Sequence, residues 1–163
     1  MKKSKQKEMD RIIKQLDLLP HPEGGFYRES YRSEEAVQGG ARALMTSIYF
    51  LLTSKSVSHF HRIKSDEHWY YHGGSPLIVH ILDAAGHHEH IVGNDLEAGY
   101  LPYFMVPKNT VFGSTVLEED SYSLVSCAVS PGFDFSDFEL LRHEDLIKSY
   151  PMNKSIIDVL SIN

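Results

Sequence analysis

Histidine and glutamate side chains suited to chemistry are concentrated in residues 58–74. His59 and His61 lie two residues apart, and Glu67 follows His61 after five intervening residues. Side chains two residues apart share a face of an extended strand, so His59 and His61 are predicted to project together. A turn at residues 63–66 is predicted to fold the next strand back and bring Glu67 close to the two histidines.

These side chains fit two kinds of chemistry. Two imidazoles, a carboxylate and a water molecule form an open catalytic site for a divalent metal such as manganese, iron, nickel or zinc. His80, in an apolar strand, supplies a further ligand if it points inward. Alternatively, His61 and Glu67 form an acid–base pair without a metal, because imidazole titrates near neutral pH and a carboxylate fixes its tautomer. The residues leave both hypotheses open.

Further aromatic and polar residues predict a ligand-binding interior. Trp69 is predicted to share a strand face with Glu67, and Phe112 lies in another apolar strand. Ligand pockets are lined mainly by apolar and aromatic groups with a few polar ones. Arg28 is a candidate for holding an anionic group, because a guanidinium binds carboxylate or phosphate with two parallel hydrogen bonds. Together with Ser47, these residues are the predicted ligand-binding set.

Length and composition restrict the class of protein. The 163 residues fit a single domain, and 42% apolar with 23% charged residues are enough to build a core. The net charge of −6 disfavours nucleic acid as a partner, because phosphate contacts need a basic surface. Cys127 is the single cysteine, which excludes an internal disulfide and predicts a cytoplasmic location. Neither a membrane-spanning run nor an apolar signal segment occurs, so no membrane association is expected.

The apolar pattern predicts an all-β domain flanked by short helices. Residues 1–19 carry apolar side chains at helical spacing, and residues 136–163 return to a helical pattern. Residues 20–135 show short apolar or alternating runs separated by turn residues, which is typical of sandwiches, barrels and jelly rolls. The predicted strands are 25–33, 43–53, 57–63, 67–72, 76–82, 88–92, 103–106, 112–117 and 122–129.

The order His-x-His, then Glu after five residues, then Gly, resembles the first motif of the cupin superfamily, small β-barrels of the jelly-roll type. The resemblance implies that His59, His61 and Glu67 correspond to the metal ligands of metal-binding cupins. A second cupin motif ends in Pro-x-Gly-x-x-His and supplies another histidine ligand. Residues 107–112 are similar to it, but Phe112 stands at the histidine position. Hypotheses with and without a metal therefore both stay open.

Three other segments carry a narrower resemblance. Residues 22–29, 47–52 and 130–140 resemble a family of uncharacterised cupin-like proteins, distantly similar to sugar-nucleotide epimerases, germins and seed storage proteins. With the 61–67 segment, the resemblance covers about residues 20–142. It implies a single cupin-type jelly-roll barrel, and a homodimer, since similar cupins pair strands or sheets between subunits.

Three functions are compatible with the residues and the resemblance. The first is a cupin without a metal or other cofactor that binds a small polar ligand, such as a sugar or nucleotide-sugar. It would isomerise or epimerise this ligand through His61 and Glu67, with Tyr49 or Tyr71 as a phenolic acid, as tyrosines act in the similar epimerases. The second is a metal-dependent dioxygenase, decarboxylase or isomerase that uses His59 with the same pair. The third is a cupin that binds its ligand without turnover.

Overall fold

Eleven strands and three α-helices make up the computed structural model, which describes residues 3–162. Residues 1–2 and 163, at the ends of the predicted terminal segments, lie outside the described residues. All nine predicted strands are present, and two short ones, β1 and β11, join them. In chain order the strands are β1 (Leu19–Pro20), β2 (Phe26–Arg32), β3 (Thr46–Thr53), β4 (Ser58–Arg62), β5 (Asp66–Gly74), β6 (Leu77–Asp83), β7 (Gly86–Val92), β8 (Tyr103–Val106), β9 (Val111–Val116), β10 (Tyr122–Ser130) and β11 (Glu139–Leu140).

The strands form two antiparallel sheets that pack face to face. One sheet has the order β1-β2-β3-β10-β5-β8, and the other has the order β11-β4-β9-β6-β7. Strands that are distant in the sequence, such as β3 and β10, are therefore neighbours in space. This arrangement confirms the predicted all-β jelly-roll fold with short helices at both ends.

Apolar side chains from both sheets fill the interior between them. Phe50, Trp69 and Phe112 are each 1% exposed, and Val79 is fully buried. Alternate residues of each strand face inward, as the pleat of a strand requires. Burial of this apolar surface is the main favourable contribution to folding, and it holds the inward side chains of the two sheets opposite each other.

The first helix covers the outer face of the six-stranded sheet. Helix α1 (Lys3–Gln15) packs Met9 against the fully buried Leu51, and Leu18 and Tyr122 belong to the same cluster. The apolar side of the predicted amphipathic helix is thus the side that meets the sheet. As a result, the residues of β3 that alternate with its inward residues are directed at α1 and not at the barrel interior.

The remaining helices cover the outer face of the five-stranded sheet. Helices α2 (His143–Ser149) and α3 (Lys154–Leu160) bury Leu146 and Ile157 against Phe60 of β4. Among the described residues, no helix is long and apolar enough to cross a membrane.

A tight turn between β1 and β2 carries a buried glutamate to the barrel interior. Glu23 is 6% exposed, and Gly24 and Gly25 follow it with backbone φ angles of 114° and 77°. A Cβ atom at Gly24 would lie 2.0 Å from the carbonyl oxygen of Val57. Glycine is therefore required at this position both for its left-handed backbone and for the close approach of the neighbouring chain.

Gly24→Ala is expected to lower the free energy of unfolding much more than Gly39→Ala. Gly39 also has a positive φ of 80°, but nothing lies within 4 Å of a Cβ atom there. Gly39→Ala therefore carries only the left-handed backbone cost of about 1–2 kcal/mol, whereas Gly24→Ala adds the clash with Val57. Urea unfolding followed by circular dichroism measures both variants. Equal losses in the two variants would contradict this account of the turn.

Candidate functional site

A cavity of about 760 Å³ opens inside the barrel. Its walls come from β2, β3, β5 and β10 of one sheet, from β4 of the other, and from the segment 133–138. Four histidine and glutamate residues in the wall are buried or nearly so, and we call them the polar cluster: His21, Glu23, His61 and Glu67. The cavity wall thus combines apolar and polar surface in similar amounts, and it includes a small group of side chains that can exchange protons.

His61 projects from β4 beside the ring of Phe112 on β9, with 4.2 Å between the ring centroids. Its Nδ1 lies 2.7 Å from the backbone carbonyl oxygen of His59. A carbonyl oxygen only accepts hydrogen bonds, so Nδ1 carries a proton and donates it. The other nitrogen, Nε2, lies 3.1 Å from Oε2 of Glu23. His61 is therefore held in one orientation with Nε2 directed at a carboxyl group.

Glu23 is held by hydrogen bonds from β4 at both its side chain and its backbone. Ser58 donates its hydroxyl to Oε1 of Glu23 at 2.8 Å. His59 donates its backbone N–H, at 3.0 Å, to the carbonyl oxygen of Glu23, and its ring Nδ1 lies 2.7 Å from the same oxygen. These contacts leave Oε2 free to face His61.

The contact between His61 and Glu23 is best described as one shared proton. Burial lowers the pKa of His61 and raises the pKa of Glu23, because a buried group loses the solvation of its charged form. Both shifts favour a neutral pair in which the carboxylic acid of Glu23 donates to Nε2 of His61. A hydrogen bond at this distance needs one proton between the two atoms, so the pair stores a single transferable proton.

His21 closes the other side of the glutamate. Its Nδ1 accepts the backbone N–H of Glu23 at 3.2 Å and lies 3.9 Å from the carboxyl Oε2. Burial lowers the pKa of His21, and the neighbouring carboxyl group opposes that shift. Its ring packs edge-on against Tyr27, with 4.5 Å between the centroids. His21 is therefore a neutral side chain that confines Glu23.

Glu67 is the group of the cluster that titrates near neutral pH. Burial raises its pKa to about 7, and the nearby Glu23 adds to this effect. His61 and a hydrogen bond with the thiol of Cys127 act in the opposite direction. Burial also raises the pKa of Cys127, so the thiol keeps its proton and acts as a donor. Glu67 is consequently present both as acid and as carboxylate at pH 7.

Two predicted ligand-binding residues, Trp69 and Phe112, support the cluster from the core. Trp69 packs edge-on against Phe50 and Phe112, with centroid distances of 5.9 Å and 6.2 Å. Neither Trp69 nor Phe112 belongs to the cavity wall. The indole N–H of Trp69 has no hydrogen-bond acceptor among residues 3–162. Phe112 also packs against the ring of His61, so these two aromatic residues belong to the core that supports the polar cluster.

The predicted metal ligands do not converge. The register of β4 against β9 shifts between Ser58 and His61, and His59 lies at that irregularity with its ring on a backbone carbonyl. Within residues 3–162, three His, Cys, Asp or Glu ligand atoms lie within 4.8 Å of one another only at His80, His87 and Glu89, outside the cavity. With Phe112 at the fourth position, the predicted set does not fit a metal in the barrel.

His80 lies on the outer face of the five-stranded sheet. Val79 and Ile81, on either side of it, face the interior core, so His80 points to the opposite face. There its Nε2 lies 2.8 Å from Oγ1 of Thr115. His80 therefore cannot supply the metal ligand that is missing because Phe112 occupies the histidine position.

Four other predicted residues also lie away from the polar cluster. Tyr49 packs in the cluster under α1, and Ser47 shares its strand face. Tyr71 donates its hydroxyl to the carbonyl oxygen of Gly74 at 2.6 Å and does not line the cavity. Arg28 borders the cavity, but its guanidinium donates to Asp17 at 2.8 Å. Neither tyrosine is placed to act as the phenolic acid beside His61.

Several residues of the cavity wall are not among the site residues predicted from the sequence. Glu23 belongs to the segment 22–29, which carries a family resemblance, and His21 directly precedes that segment. A glutamate followed by two glycines does indicate a tight turn that bears a carboxylate. Arg32 lies at the cavity wall, binds Glu29 through two hydrogen bonds of 3.0 Å and 2.7 Å, and is half exposed. The aromatic residues of 133–138 complete this side of the cavity.

Proteins of a yeast, a protozoan and a bacterium are similar to this chain over most of its length. A protein of Saccharomyces cerevisiae, described as uncharacterized, is 30% identical over 86% of this chain and 78% of its own. A hypothetical protein from Leishmania major is 40% identical, with a TM-score of 0.88 and coverage of 94% of this chain and 98% of that one. Protein SO0799 from Shewanella oneidensis is 48% identical, with a TM-score of 0.89 and coverage of 94% and 96%.

The family model described as Cupin superfamily (DUF985) matches residues 10–141. More distantly, an oxalate decarboxylase of Bacillus subtilis is 18% identical, with a TM-score of 0.55, over 86% of this chain and 36% of that chain. At that identity the likeness concerns the fold alone. The resemblance and the fold class predicted from the sequence are both confirmed.

Glu67→Gln is expected to stabilise the protein at high pH. Because the pKa of Glu67 is raised from 4.5 to about 7 in the fold, the unfolded chain releases this proton at lower pH than the folded one. Protonated Glu67 therefore contributes up to about 3 kcal/mol to the free energy of unfolding. This contribution is fully present below pH 4.5 and is lost as pH rises to about 7. Urea unfolding of wild type and Glu67→Gln between pH 4.5 and pH 8 measures this effect.

The difference in free energy of unfolding between the two proteins should be small at pH 4.5 and grow in favour of Glu67→Gln up to pH 8. Glu97→Gln, which alters an exposed glutamate, serves as the control and should show no such growth. Parallel pH curves for wild type and Glu67→Gln would show that Glu67 has an ordinary pKa.

Proposed function

The chain belongs to the cupin superfamily, in the family described as DUF985, and we propose that it isomerises or epimerises a small polar hydroxy-carbonyl ligand by proton transfer. The observation that carries this proposal is the hydrogen-bonded pair of His61 and Glu23, 3.1 Å apart in the cavity wall, beside a third ionisable group, Glu67. An acid and a base thus lie side by side at one site.

The two parts of the site suit opposite roles. A general base works best when its pKa lies near the working pH, and burial brings the pKa of Glu67 to about 7. The proton shared by Glu23 and His61 is available as the acid, and the hydrogen bond from His61 to the carbonyl of His59 keeps Nε2 aligned. When the surroundings push the pKa values of two neighbouring titratable groups apart, the difference indicates which group acts as acid and which as base.

The proposed step conserves all atoms and electrons. The Glu67 carboxylate takes a proton from the ligand carbon next to a carbonyl group, and the electron pair of that C–H bond moves into a new carbon–carbon double bond. The proton of the Glu23–His61 pair passes to the carbonyl oxygen, which gives an enediol. Glu67 then returns its proton to the other carbon, or to the other face of the same carbon, while an enediol hydroxyl gives its proton back to the Glu23–His61 pair and becomes the new carbonyl group. This yields the isomer or epimer and restores both groups.

The volume and the lining of the cavity suit a ligand about the size of a sugar. A volume of about 760 Å³ lies within the range of small-molecule sites. Phe133, Phe135 and Phe138 supply aromatic surface along one wall, and the ion pair of Arg32 and Glu29 lies at the polar rim. An open-chain sugar, or a nucleotide-sugar that carries a keto group, offers the hydroxyl groups and the carbonyl group that the proposed step requires.

A metal-dependent alternative receives less support. It would use His59, His61 and Glu67, with His80 as an additional ligand. The ring of His59 lies on a backbone carbonyl at a strand irregularity, and His80 points to the opposite face of its sheet. The oxalate decarboxylase relative shares the fold at 18% identity, so its named activity gives no argument for decarboxylation here.

Exchange of ligand hydrogen with solvent deuterium tests the proposed step. Aldoses, ketoses, their phosphates and nucleotide-sugars are screened for a rise in melting temperature, and each binder is incubated with the protein in deuterium oxide. Proton NMR should show loss of the signal from the carbon next to the carbonyl group. Glu67→Gln should abolish this exchange while leaving ligand binding within a few-fold of wild type, because the amide keeps the shape of the carboxyl group.

Glu97→Gln is again the matched control and should exchange at the wild-type rate. Binding without any exchange in the wild-type protein would contradict proton transfer and favour a cupin that only binds its ligand. Exchange that persists unchanged in Glu67→Gln would remove Glu67 from the role of base.

A further inference from the structure

A second histidine cluster lies on the outside of the barrel, on the β6–β7 hairpin. His80 of β6 is directly opposite Glu89 of β7, and His87 is two residues before Glu89 on the same strand. Paired residues, and residues two apart on one strand, share a sheet face. His80, His87 and Glu89 therefore project from one rigid surface, and we call them the hairpin triad.

The distances within the hairpin triad match the ligand shell of a small divalent metal. Nδ1 of His80 and Nε2 of His87 are 3.0 Å apart. Oε1 of Glu89 lies 3.5 Å from Nδ1 of His80 and 3.9 Å from Nε2 of His87. Tetrahedral zinc with bonds near 2.0–2.1 Å keeps its ligand atoms about 3.3–3.5 Å apart. Shifts of a few tenths of an ångström in the two more exposed side chains would complete the geometry.

The surroundings of His80 resemble those of a metal-bound histidine. Its ring is buried, with 4% of the side chain exposed, and its Nε2 is held by the hydroxyl of Thr115 at 2.8 Å. Ligating histidines nearly always bind an outer partner through the second ring nitrogen, which fixes the ring orientation. With Nε2 engaged in this way, Nδ1 of His80 faces His87 and Glu89.

We propose that the hairpin triad is a zinc-type metal site with three protein ligands and water. Two imidazoles and one carboxylate favour zinc over magnesium or calcium, which prefer oxygen ligands. The Glu89 side chain is half exposed, so water can reach the fourth position. This site is separate from the polar cluster, because His80 points away from the barrel interior.

The hairpin triad takes only one residue from the run of histidines on β7. His87, His88 and His90 form a tract that is typical of a solvent-exposed hairpin, yet only His87 of the three belongs to the triad. His88 is opposite the inward-facing Ile81, and its Nε2 lies 3.2 Å from Oδ1 of Asp83. It therefore projects from the other face of β7 and offers a matched control on the same strand.

Zinc titration of the chelator-treated full chain tests the proposal. Wild type is expected to bind one zinc ion per chain, to melt at a higher temperature with zinc than with magnesium, and to show visible absorption bands of four-coordinate cobalt(II). His87→Ala and Glu89→Gln should each weaken zinc binding by at least about tenfold, the scale of losses seen when even an outer partner is removed. Both residues are partly exposed, so these variants should fold, and circular dichroism checks this.

Controls locate the ion. His88→Ala should keep the wild-type affinity, and Glu67→Gln should do so as well, because it alters only the barrel interior. Zinc affinity that is equal in wild type, His87→Ala and Glu89→Gln would overturn the proposal. So would a loss of binding in Glu67→Gln with retention in His87→Ala, since the ion would then lie in the cavity.

Discussion

Burial of ionisable side chains inside an apolar barrel is the constraint on which the site depends. Glu23, His61 and Glu67 are each less than a tenth exposed, so a bare charge on any of them would be costly. Hydrogen bonds to these side chains offset the cost. The Ser58 hydroxyl donates to Glu23, the His61 ring donates to a backbone carbonyl, and the Cys127 thiol donates to Glu67. The outcome is a neutral pair beside a carboxyl group that titrates near pH 7, and this combination suits the cavity to proton transfer.

This arrangement exists only because three parts of the chain meet. The turn that carries Glu23 approaches the chain at Val57 so closely that Gly24 is required, and β4 supplies both Ser58 and His61 to it. The strand irregularity between those two residues sends His59 to the backbone of the turn instead of to the cavity. Because of this one irregularity, the ring of His59 makes a structural hydrogen bond and does not enter the cavity. The ring of His61 is left as the imidazole of β4 in the site, and it packs against Phe112.

Sheet faces separate the two clusters of histidines in the protein. His61 faces inward on β4 and joins the polar cluster, whereas His80 faces outward on β6 and joins His87 and Glu89. The two places differ in solvent access as well as in ligand geometry: the inner one is a closed, proton-sharing pair, and the outer one is an open group of three metal-ligand side chains. The number of histidines in the sequence does not distinguish the inward histidines from the outward ones, although the two groups have different chemistry.

The sequence by itself determined the fold class, the nine main strands and the terminal helices, because alternation of apolar residues and turn residues are local properties of the chain. It also singled out His61 and Glu67, which do lie in one cavity. Only the tertiary structure decided that Glu23 and not His59 is the partner of His61, that Tyr49 and Tyr71 lie away from the cluster, and that His80 points outward. These outcomes depend on a shift of register and on which turn reaches which strand, and such long-range contacts leave no periodic signal in the sequence.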